Sequence, residues 1–390
     1  MLKGVNVALG VSGSIGAVKT VELAHELRRQ GASVRAVMTP AATGIIHPWS
    51  VQFATDNPVV TELTGAIEHV ELCGTDGWAD VLLLAPVTAN TLGKLAASID
   101  DTPVTTTATT AFGSDIPIVA VPAMHEPMYD HPGVLESIEK LESWGVRFVD
   151  PRVEEGKAKI AEEPRIITEV TRAATPDPLA NKTVIVTSGA TTESIDPIRT
   201  LSNRASGRTG RAVARACYTH GADVVLVHDG PDYQWATVEQ VESAAEMTDA
   251  VTSHAENADA LVSAAAISDY TIDAADEKIR SGQDELTLTL EPTPKLIDTV
   301  RDAYPELSIV GFKAEAPGDS GEETATEALV SEARRIMDRT ELSFVVANDA
   351  RVMGADTTST VFVHSDSVEP FEGSKAELGG EVARQLATEL

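Results

Sequence analysis

Two segments of the chain carry a short apolar run followed directly by a turn of glycine and small hydroxyl residues. In the first, residues 5–9 precede the turn from Gly10 to Gly16, and in the second, residues 183–187 precede Ser188 to Ala190. A turn of this kind that opens a helix directs backbone N–H groups at an anion, so both segments are candidate phosphate sites. Neither turn has the GxGxxG or Walker A spacing, and the first also fits a purely structural tight turn.

Polar and sulfur-containing residues follow two further apolar runs. Thr88 and Asn90 come after residues 81–85, and their hydroxyl and amide groups can bond a phosphate or the polar edge of a flat ring. Met124 and Met128 come after residues 116–121, and methionine packs well against the face of a ring. Each feature taken alone is more typical of a core or a loop than of a cofactor site.

The charge balance excludes some partners and draws attention to one loop. The chain has 60 acidic and 30 basic residues and a net charge of −30, which disfavours nucleic acid as a partner. An acidic surface poor in lysine is typical of halophilic proteins. Against this background the three arginines Arg199, Arg204 and Arg208 indicate anion binding at the start of the helix that follows them.

The apolar runs alternate with helical patterns in both halves of the chain. Short β-branched runs separated by amphipathic helices predict an α/β protein with two doubly wound Rossmann-like domains, each with a parallel sheet. The second half restarts the pattern at Lys182, and prolines 176 and 178 among small residues indicate a stiff linker. We therefore expect domains at 1–172 and 181–390, joined by residues 173–180.

The number of cysteines and the hydropathy of the chain indicate the compartment in which the protein is expected. The spacing of the two cysteines, Cys73 and Cys217, indicates neither a disulfide framework nor a zinc site, and no other metal site is predicted. The apolar N-terminal stretch is short and continues into the first glycine turn, which favours a buried strand over a signal peptide. No uncharged apolar stretch is long enough to cross a bilayer. We expect a cytoplasmic protein without a membrane partner.

In its first half the sequence resembles the flavin-dependent cysteine decarboxylases, which act on phosphopantothenoylcysteine or on C-terminal cysteines of peptides. The resemblance rests on residues 10–19, His69, residues 78–80, residues 85–91 and residues 122–128. It implies that FMN is bound by Gly13, Ser14, Thr39, Pro86, Thr88 and Asn90. It also implies that His69 is the catalytic base, a role that suits a group titrating near neutrality.

Two departures from that family affect the predicted substrate site. Its Pro-x-Met-Asn-x-x-Met motif binds the substrate carboxylate through Asn, where this chain has His125 before Met128. Its bacterial members carry a proton-donating cysteine on a flap, and residues 151–160 here contain none. Lys157 or Lys159 is the candidate replacement, and a plain charged loop is the alternative.

The second half resembles the phosphopantothenate–cysteine ligase of the same pathway. The matching segments are residues 185–210, 264–270, 277–280, 310–315 and 347–349. The resemblance implies that Asn203 binds an acyl-cytidylate intermediate. It implies a CTP site formed by Ser263, Ala264, Ala265, Asp269, Lys278, Pro294, Lys295, Leu296, Ile297, Phe312, Arg335 and Arg339. The two arginines stand about one residue out of register with the lysines of the family.

Together the two resemblances imply one bifunctional enzyme of coenzyme A biosynthesis. The ligase half would join L-cysteine to 4′-phosphopantothenate with CTP and Mg²⁺, and the flavin half would decarboxylate the product. Family members oligomerise, so a homo-oligomer is expected. Alternatives are an active ligase fused to an inactive flavoprotein half, a non-catalytic binding subunit, and a different enzyme of the flavin fold such as a prenyl-flavin synthase. The choice between CTP and ATP stays open.

Overall fold

The computed structural model describes residues 1–154, 157–280, 285–315, 322–349 and 357–390. The chain divides into two compact units, Met1–Pro176 and Asp177–Leu390. Ala173 and Ala174 belong to the last helix of the first unit, so part of the expected linker is helical.

The first unit alternates strands and helices. A single 3₁₀ turn, Ile15–Lys19, follows the first strand. The strands are β1 Asn6–Val11, β2 Ser33–Met38, β3 Val81–Val87, β4 Ile118–Pro122, β5 Met124–His125, β6 Arg147–Phe148, β7 Arg152–Glu154 and β8 Lys157–Lys159. The helices are α1 Thr20–Arg29, α2 Pro40–Thr43, α3 Pro48–Thr55, α4 Glu68–Cys73, α5 Ala89–Ala96, α6 Pro103–Gly113, α7 Glu126–Tyr129, α8 Pro132–Ser143 and α9 Glu163–Ala174.

Five strands of this unit form a parallel sheet in the order β2-β1-β3-β4-β6. The strands are apolar on both faces, as buried parallel strands must be, and β3 is buried along its whole length. Helices α1, α3 and α9 cover one face and α4, α5, α6 and α8 cover the other. The strand order reverses between β1 and β3, and in such sheets a ligand binds beyond the carboxyl ends of the two strands at that point.

The second unit has its own sheet and helices. Its strands are β9 Thr183–Thr187, β10 Thr192–Ser194, β11 Thr200–Ser202, β12 Asp223–His228, β13 Thr237–Gln240, β14 Ala260–Ser263, β15 Tyr270–Thr271, β16 Glu291–Pro292, β17 Ser308–Glu315, β18 Phe344–Asp349, β19 Thr357–Val363 and β20 Val368–Ser374. Its helices are α10 Arg208–Thr219, α11 Ala244–Ala255, α12 Leu296–Ala303, α13 Glu322–Thr340 and α14 Lys375–Glu389.

The main sheet of this unit has the order β13-β12-β9-β14-β17-β18-β19-β20. The six strands from β13 to β18 are parallel, and the order reverses between β9 and β14. Helices α10 and α14 cover one face, whereas α11, α12 and α13 cover the other.

The last two strands differ from the expected parallel sheet. The run around residues 360–363 was expected to continue the parallel arrangement, but β19 pairs antiparallel with β18, and β20 pairs antiparallel with β19. A hairpin allows this reversal because the loop between β19 and β20 is short, whereas a parallel connection needs a helix. The chain therefore returns to the carboxyl edge of the sheet before α14 begins.

Within the described ranges, none of the helices is both long and apolar enough to span a membrane.

Candidate active sites

The first site lies where β1 and β3 end, at the reversal of strand order. The Ser12 amide donates to the Pro86 carbonyl at 3.0 Å, and the hydroxyls of Ser12 and Thr91 are 3.0 Å apart. Both side chains are buried. These bonds fix the glycine turn against the segment after β3, so the two sequence motifs form one wall.

Three residues expected to bind FMN occupy helix N-caps at this edge. Ser14 caps the 3₁₀ turn and also donates to the Ala123 carbonyl at 2.9 Å. Thr39 caps α2 and Thr88 caps α5, each through its hydroxyl. Backbone N–H groups of three helical starts therefore converge on one edge of the sheet, an arrangement that favours an anion.

Gly13 is required by the packing of this edge. A Cβ atom at Gly13 would lie 2.5 Å from the Cβ and 3.0 Å from the carbonyl carbon of Ala41. The turn therefore packs directly on the start of α2. Asn90, in the first turn of α5, is exposed at the same edge, and Pro86 is joined to Ala85 by a cis peptide bond.

His69 lies in the first turn of α4. Val60 pairs in parallel with Val37 of β2, so the chain has returned to the carboxyl edge of the sheet shortly before α4 begins. The Nδ1 atom of His69 is buried and has no hydrogen-bond partner among the described residues, although the residue as a whole is half-buried. The hydrogen-bonding capacity of this nitrogen is therefore not used by the described residues, which is uncommon for a buried polar atom.

The flap is a hairpin of β7 and β8 that pairs with β5 beside the end of β4. Lys157 pairs with His125 and Ala158 pairs with Met124, in antiparallel register. Lys159 pairs with Arg152 on the other side of β8. The Lys157 side chain and residues 155–156 lie outside the described residues. His125 is exposed and Met128 is 48% exposed, so both predicted substrate residues are accessible.

The second site is a cleft of about 510 Å³ at the carboxyl edge of the second unit. The Asn203 side-chain amide donates to the Ala266 carbonyl at 3.0 Å, which holds the arginine-rich loop over the segment after β14. Four predicted nucleotide residues line the cleft: Ala264, Ala265, Asp269 and Phe312. Ser263, the last residue of β14, leads into it.

The glycines of this site position α10. Gly189 has φ +91°, and a Cβ atom at Gly210 would lie 2.6 Å from Ser188 Cβ and 2.8 Å from the Thr187 carbonyl. The helix therefore starts in direct contact with the end of β9. Its N-cap, Gly207, has φ +67° and makes no side-chain capping bond, so backbone donors at this N-terminus face the cleft.

The segment after β14 is fixed by buried threonines that sequence reasoning had not selected. The Thr187 hydroxyl accepts from the amides of Ala264 and Ala265, both at 3.2 Å. Thr191 accepts from the Ser268 amide at 2.8 Å. The amides of Ala264 and Ala265 are therefore already bonded, which leaves their carbonyls and the cleft surface for a nucleotide.

Asp269 and Lys295 form an exposed ion pair between the end of β14 and the start of α12. Pro294 is exposed beside them, whereas Leu296 is 2% exposed in the core and Ile297 packs against that core. The side chain of Leu296 cannot face a ligand, so only its backbone could make the expected contact with the nucleotide.

Lys278 is exposed on a segment tied to Asp196. The Asp196 carboxylate accepts from the amides of Ile198, Arg199 and Ile279 and pairs with the Arg199 guanidinium at 2.6 Å. Burial opposes the charge, but the three amide donors and the guanidinium hold the pKa of this carboxyl below its usual value. Arg199 thus orders the segment that carries Lys278.

Arg335 and Arg339 lie away from the cleft. Because α13 connects the parallel strands β17 and β18, it must run from the carboxyl edge to the amino edge, and both arginines are near its end. Arg335 pairs with Glu332 and Arg339 pairs with Asp298. The two side chains therefore do not line this cleft, and their predicted contact with the nucleotide stays a prediction.

Comparisons with known proteins agree with this division into two sites. Residues 1–175 match the family model described as Flavoprotein, and residues 179–390 match the DNA/pantothenate metabolism flavoprotein C-terminal domain. The Coenzyme A biosynthesis bifunctional protein CoaBC of Thermococcus kodakarensis is 48% identical over 372 residues, covering 94% of this chain and 90% of its own. The protein of the same name from Methanocaldococcus jannaschii is 33% identical over 398 residues, covering 99% and 94%.

Among solved structures, the C-terminal domain of a Coenzyme A biosynthesis bifunctional protein CoaBC is similar at 26% identity. It covers 55% of this chain and 97% of its own, with a TM-score of 0.46. The family models together span nearly the whole sequence, and the archaeal relatives match across both units. The chain therefore belongs to the family of bifunctional coenzyme A biosynthesis proteins.

Proposed function

We propose that the chain converts 4′-phosphopantothenate to 4′-phosphopantetheine in two steps, one in each half. Residues 181–390 ligate L-cysteine at the expense of CTP, and residues 1–172 decarboxylate the resulting 4′-phosphopantothenoylcysteine with FMN. Residues 173–180 join the two halves. Membership of the bifunctional family supports this assignment, and the two separate carboxyl-edge sites fit it.

The first site fits FMN. Gly13 lets the turn pack directly on Ala41, and the helix starts capped by Ser14, Thr39 and Thr88 favour a phosphate beside it. Pro86 and Asn90 would border the ring. When bound, FMN supplies the reversible two-electron oxidation that allows an unactivated carboxylate to leave as CO₂.

His69, His125 and the flap would then handle the substrate. The buried Nδ1 of His69 has no protein partner among the described residues, and His69 acts as the base that removes a proton from the substrate. His125 replaces the family's asparagine and donates to the substrate carboxylate, with Met128 beside it. The pairing of Lys157 with His125 makes Lys157 the better-placed candidate for the acid that returns a proton, ahead of Lys159.

In the second site the chemistry begins with a poor leaving group. The carboxylate of 4′-phosphopantothenate would first attack the α-phosphate of CTP, which forms the acyl-cytidylate and releases pyrophosphate, so that its oxygen can later leave with CMP. Asp269, Lys278 and Phe312 would hold CTP, bound with Mg²⁺, and Asn203 would hold the acyl-cytidylate. Cysteine's amine then attacks the acyl carbon and CMP leaves.

The acidic surface, with its net charge of −30, supports a cytoplasmic setting of high salt and an archaeal, halophilic origin. At molar salt the Debye length is roughly 3 Å, so repulsion among surface carboxylates is screened. We expect a homo-oligomer in solution, as in the family it resembles. No nucleic acid or membrane takes part.

The observation that carries this proposal is that one chain of the bifunctional family has two candidate anion sites, one at the carboxyl edge of each parallel sheet. A single assay in molar KCl with 4′-phosphopantothenate, L-cysteine, CTP and Mg²⁺, followed by mass spectrometry, tests it. The expected products are CMP and 4′-phosphopantetheine. Asn203→Ala should abolish CMP release, whereas His69→Ala should stop the reaction at 4′-phosphopantothenoylcysteine.

Two other outcomes would redirect the assignment. Accumulation of 4′-phosphopantothenoylcysteine by FMN-loaded wild-type protein would favour a ligase fused to an inactive flavoprotein half, the alternative raised by the cysteine-free flap. Absence of CMP, and of AMP when ATP replaces CTP, would overturn the ligase assignment itself.

A further inference from the structure

Arg35 of β2 lies against the helix that carries His69. Side chains alternate along a strand, so Arg35 is on the same face of the sheet as Val37. Val37 packs in the core with Leu72 and Cys73 of α4. Arg35 is therefore placed beside α4, on the outer strand of the parallel sheet.

The guanidinium of Arg35 makes one contact with α4 and another with the segment that follows this helix. Its Nη1 atom is 2.8 Å from Oε1 of Glu71, and its Cζ atom lies 4.6 Å from the centroid of the Trp78 ring. The Trp78 amide donates to the Glu71 carbonyl at 2.9 Å, so the two partners are also joined through the backbone. Arginine suits this position because its planar guanidinium can stack on a ring and bind a carboxylate at the same time. Arg35 thus links β2, α4 and the segment before β3.

The other end of α4 begins with an unfavourable backbone conformation. Ile67, its N-cap, has φ +50°, a left-handed conformation that a β-branched residue rarely adopts, and it makes no side-chain capping bond. The loop before it is anchored to the first turn, since the Thr64 amide donates to the Glu68 carboxylate at 2.9 Å. Such strain persists in a folded protein only where surrounding contacts hold it, and it is common at functional sites. Here the strained residue precedes His69 by two positions.

The shortness of α4 makes its position depend on these contacts. The helix has 6 residues, and an isolated helix of this length is not stable in water. Its last residues, Leu72 and Cys73, are buried in the core, whereas His69 in the first turn is only half-buried. The orientation of the first turn therefore depends on the strained start of the helix and on the restraint that Arg35 applies to Glu71.

We propose that Arg35 is a positioning residue for the decarboxylase, which restrains α4 through Glu71 and Trp78 and so keeps His69 in one place at the carboxyl edge of the sheet. This inference rests on the proposed role of His69 as the base, and it adds the residue that fixes this base in position. The ion pair with Glu71 is partly exposed, and contacts of this kind add little to the stability of a whole domain. Loss of Arg35 should therefore loosen α4 locally and leave the first unit folded.

Substitution of Arg35 tests the proposal in FMN-loaded protein, with 4′-phosphopantothenoylcysteine as the substrate so that the ligase half takes no part. Arg35→Met should lower kcat for the formation of 4′-phosphopantetheine about tenfold, because a base that is slightly displaced loses its alignment with the proton it removes. KM and the FMN content should keep their wild-type values. Arg35→Lys, which can keep the ion pair but loses the stacked guanidinium, should recover part of the rate.

A double variant distinguishes positioning through Glu71 from general damage to the fold. Arg35→Met already removes the contact with Glu71, so adding Glu71→Gln to it should slow the reaction no further. Arg29→Met is the matched control, since Arg29 forms an ion pair with Glu26 at the surface of α1, and it should leave kcat unchanged. Losses that multiply in the double variant, a fall in FMN content that accounts for the lower rate, or an unchanged kcat in Arg35→Met would each overturn the proposal.

Amide hydrogen exchange separates this inference from the proposed function. In Arg35→Met the amides of residues 68–73 should exchange about fivefold faster than in wild-type protein, while those of β1 and β3 keep their protection. If wild-type protein forms no 4′-phosphopantetheine, the decarboxylase assignment fails, yet faster exchange confined to α4 would still support the restraint that Arg35 places on this helix. Equal exchange in the two proteins would overturn that restraint independently of catalysis.

Discussion

His125 and Lys157 are paired across the antiparallel strands β5 and β8, and this places the flap hairpin directly beside the end of β4. The flap contains no cysteine, since the two cysteines of the chain are at positions 73 and 217. Under the proposed function, a proton donor on this flap is therefore a group other than a cysteine. The backbone pairing favours Lys157 over Lys159, which pairs with Arg152 instead.

Substituting the flap lysines one at a time tests this assignment. We expect Lys157→Met to slow formation of 4′-phosphopantetheine from 4′-phosphopantothenoylcysteine by about 100-fold, the usual contribution of a general acid. Lys159→Met, the matched control on the same strand, should change the rate less than threefold, as expected of a residue outside the acid–base chemistry. FMN content is checked by absorbance. Equal losses in the two variants would show that the flap acts through its fold and not through one lysine.

Gly13 offers a test that separates the two halves of the enzyme. In Gly13→Ala the new methyl group would lie 2.5 Å from Ala41 Cβ, so the turn must move and FMN binding should fall at least tenfold. CMP release by the second unit should stay at the wild-type rate. The readouts are flavin absorbance of the purified protein and CMP by mass spectrometry.

Gly93→Ala is the control for that substitution. Gly93 lies inside α5, and a Cβ atom there would have no neighbour within 4 Å. This variant should keep its FMN and gain about 1 kcal/mol in the free energy of unfolding, because alanine is the better helix former. Loss of flavin from Gly93→Ala but not from Gly13→Ala would contradict the position assigned to the glycine turn.

The elements predicted from sequence were those whose signals are local. The apolar residues before Gly10 and the glycine turn after them are adjacent in the chain, so the strand, the turn and the following helix could be predicted together. The direction of β19 could not be predicted in this way, because it depends on antiparallel pairing with β18, which lies elsewhere in the chain. The positions of Arg335 and Arg339 also depend on a long-range feature. Their spacing matched a family motif, but the direction of α13 carries them to the other edge of the sheet.

Neither cysteine should be needed for either activity. Cys73 and Cys217 are fully buried, and burial raises the pKa of each thiol to about 12. The thiolate, which is the reactive form, is therefore scarce at neutral pH. We expect pretreatment of the protein with iodoacetamide at pH 7.5, followed by removal of the reagent before substrates are added, to leave both product-forming rates unchanged, with mass spectrometry showing no alkylation until the protein is denatured. Rapid alkylation with loss of decarboxylation would reveal a catalytic thiol.

His228 should make the second unit sensitive to mild acid. Its side chain is completely buried at the end of β12 and stacks on Tyr233, with ring centroids 6.0 Å apart. Burial, reinforced by the charge of Arg211, lowers the pKa of this imidazole below its ordinary value of 6.5, although Asp229 and Asp232 oppose the shift. The folded state therefore prefers the neutral ring.

The sign of the effect follows from proton linkage. Below pH 6.5 the unfolded chain binds a proton that the folded one refuses, so stability is complete above this pH and declines as the pH falls towards the folded pKa. Each pH unit in that window costs about 1.4 kcal/mol. Calorimetry between pH 7.5 and 5.5, following the transition that CTP shifts, should show a steeper decline for wild-type protein than for His228→Phe. Parallel declines would mean that His228 keeps the same protonation in both states, contrary to its burial without a partner for either ring nitrogen among the described residues.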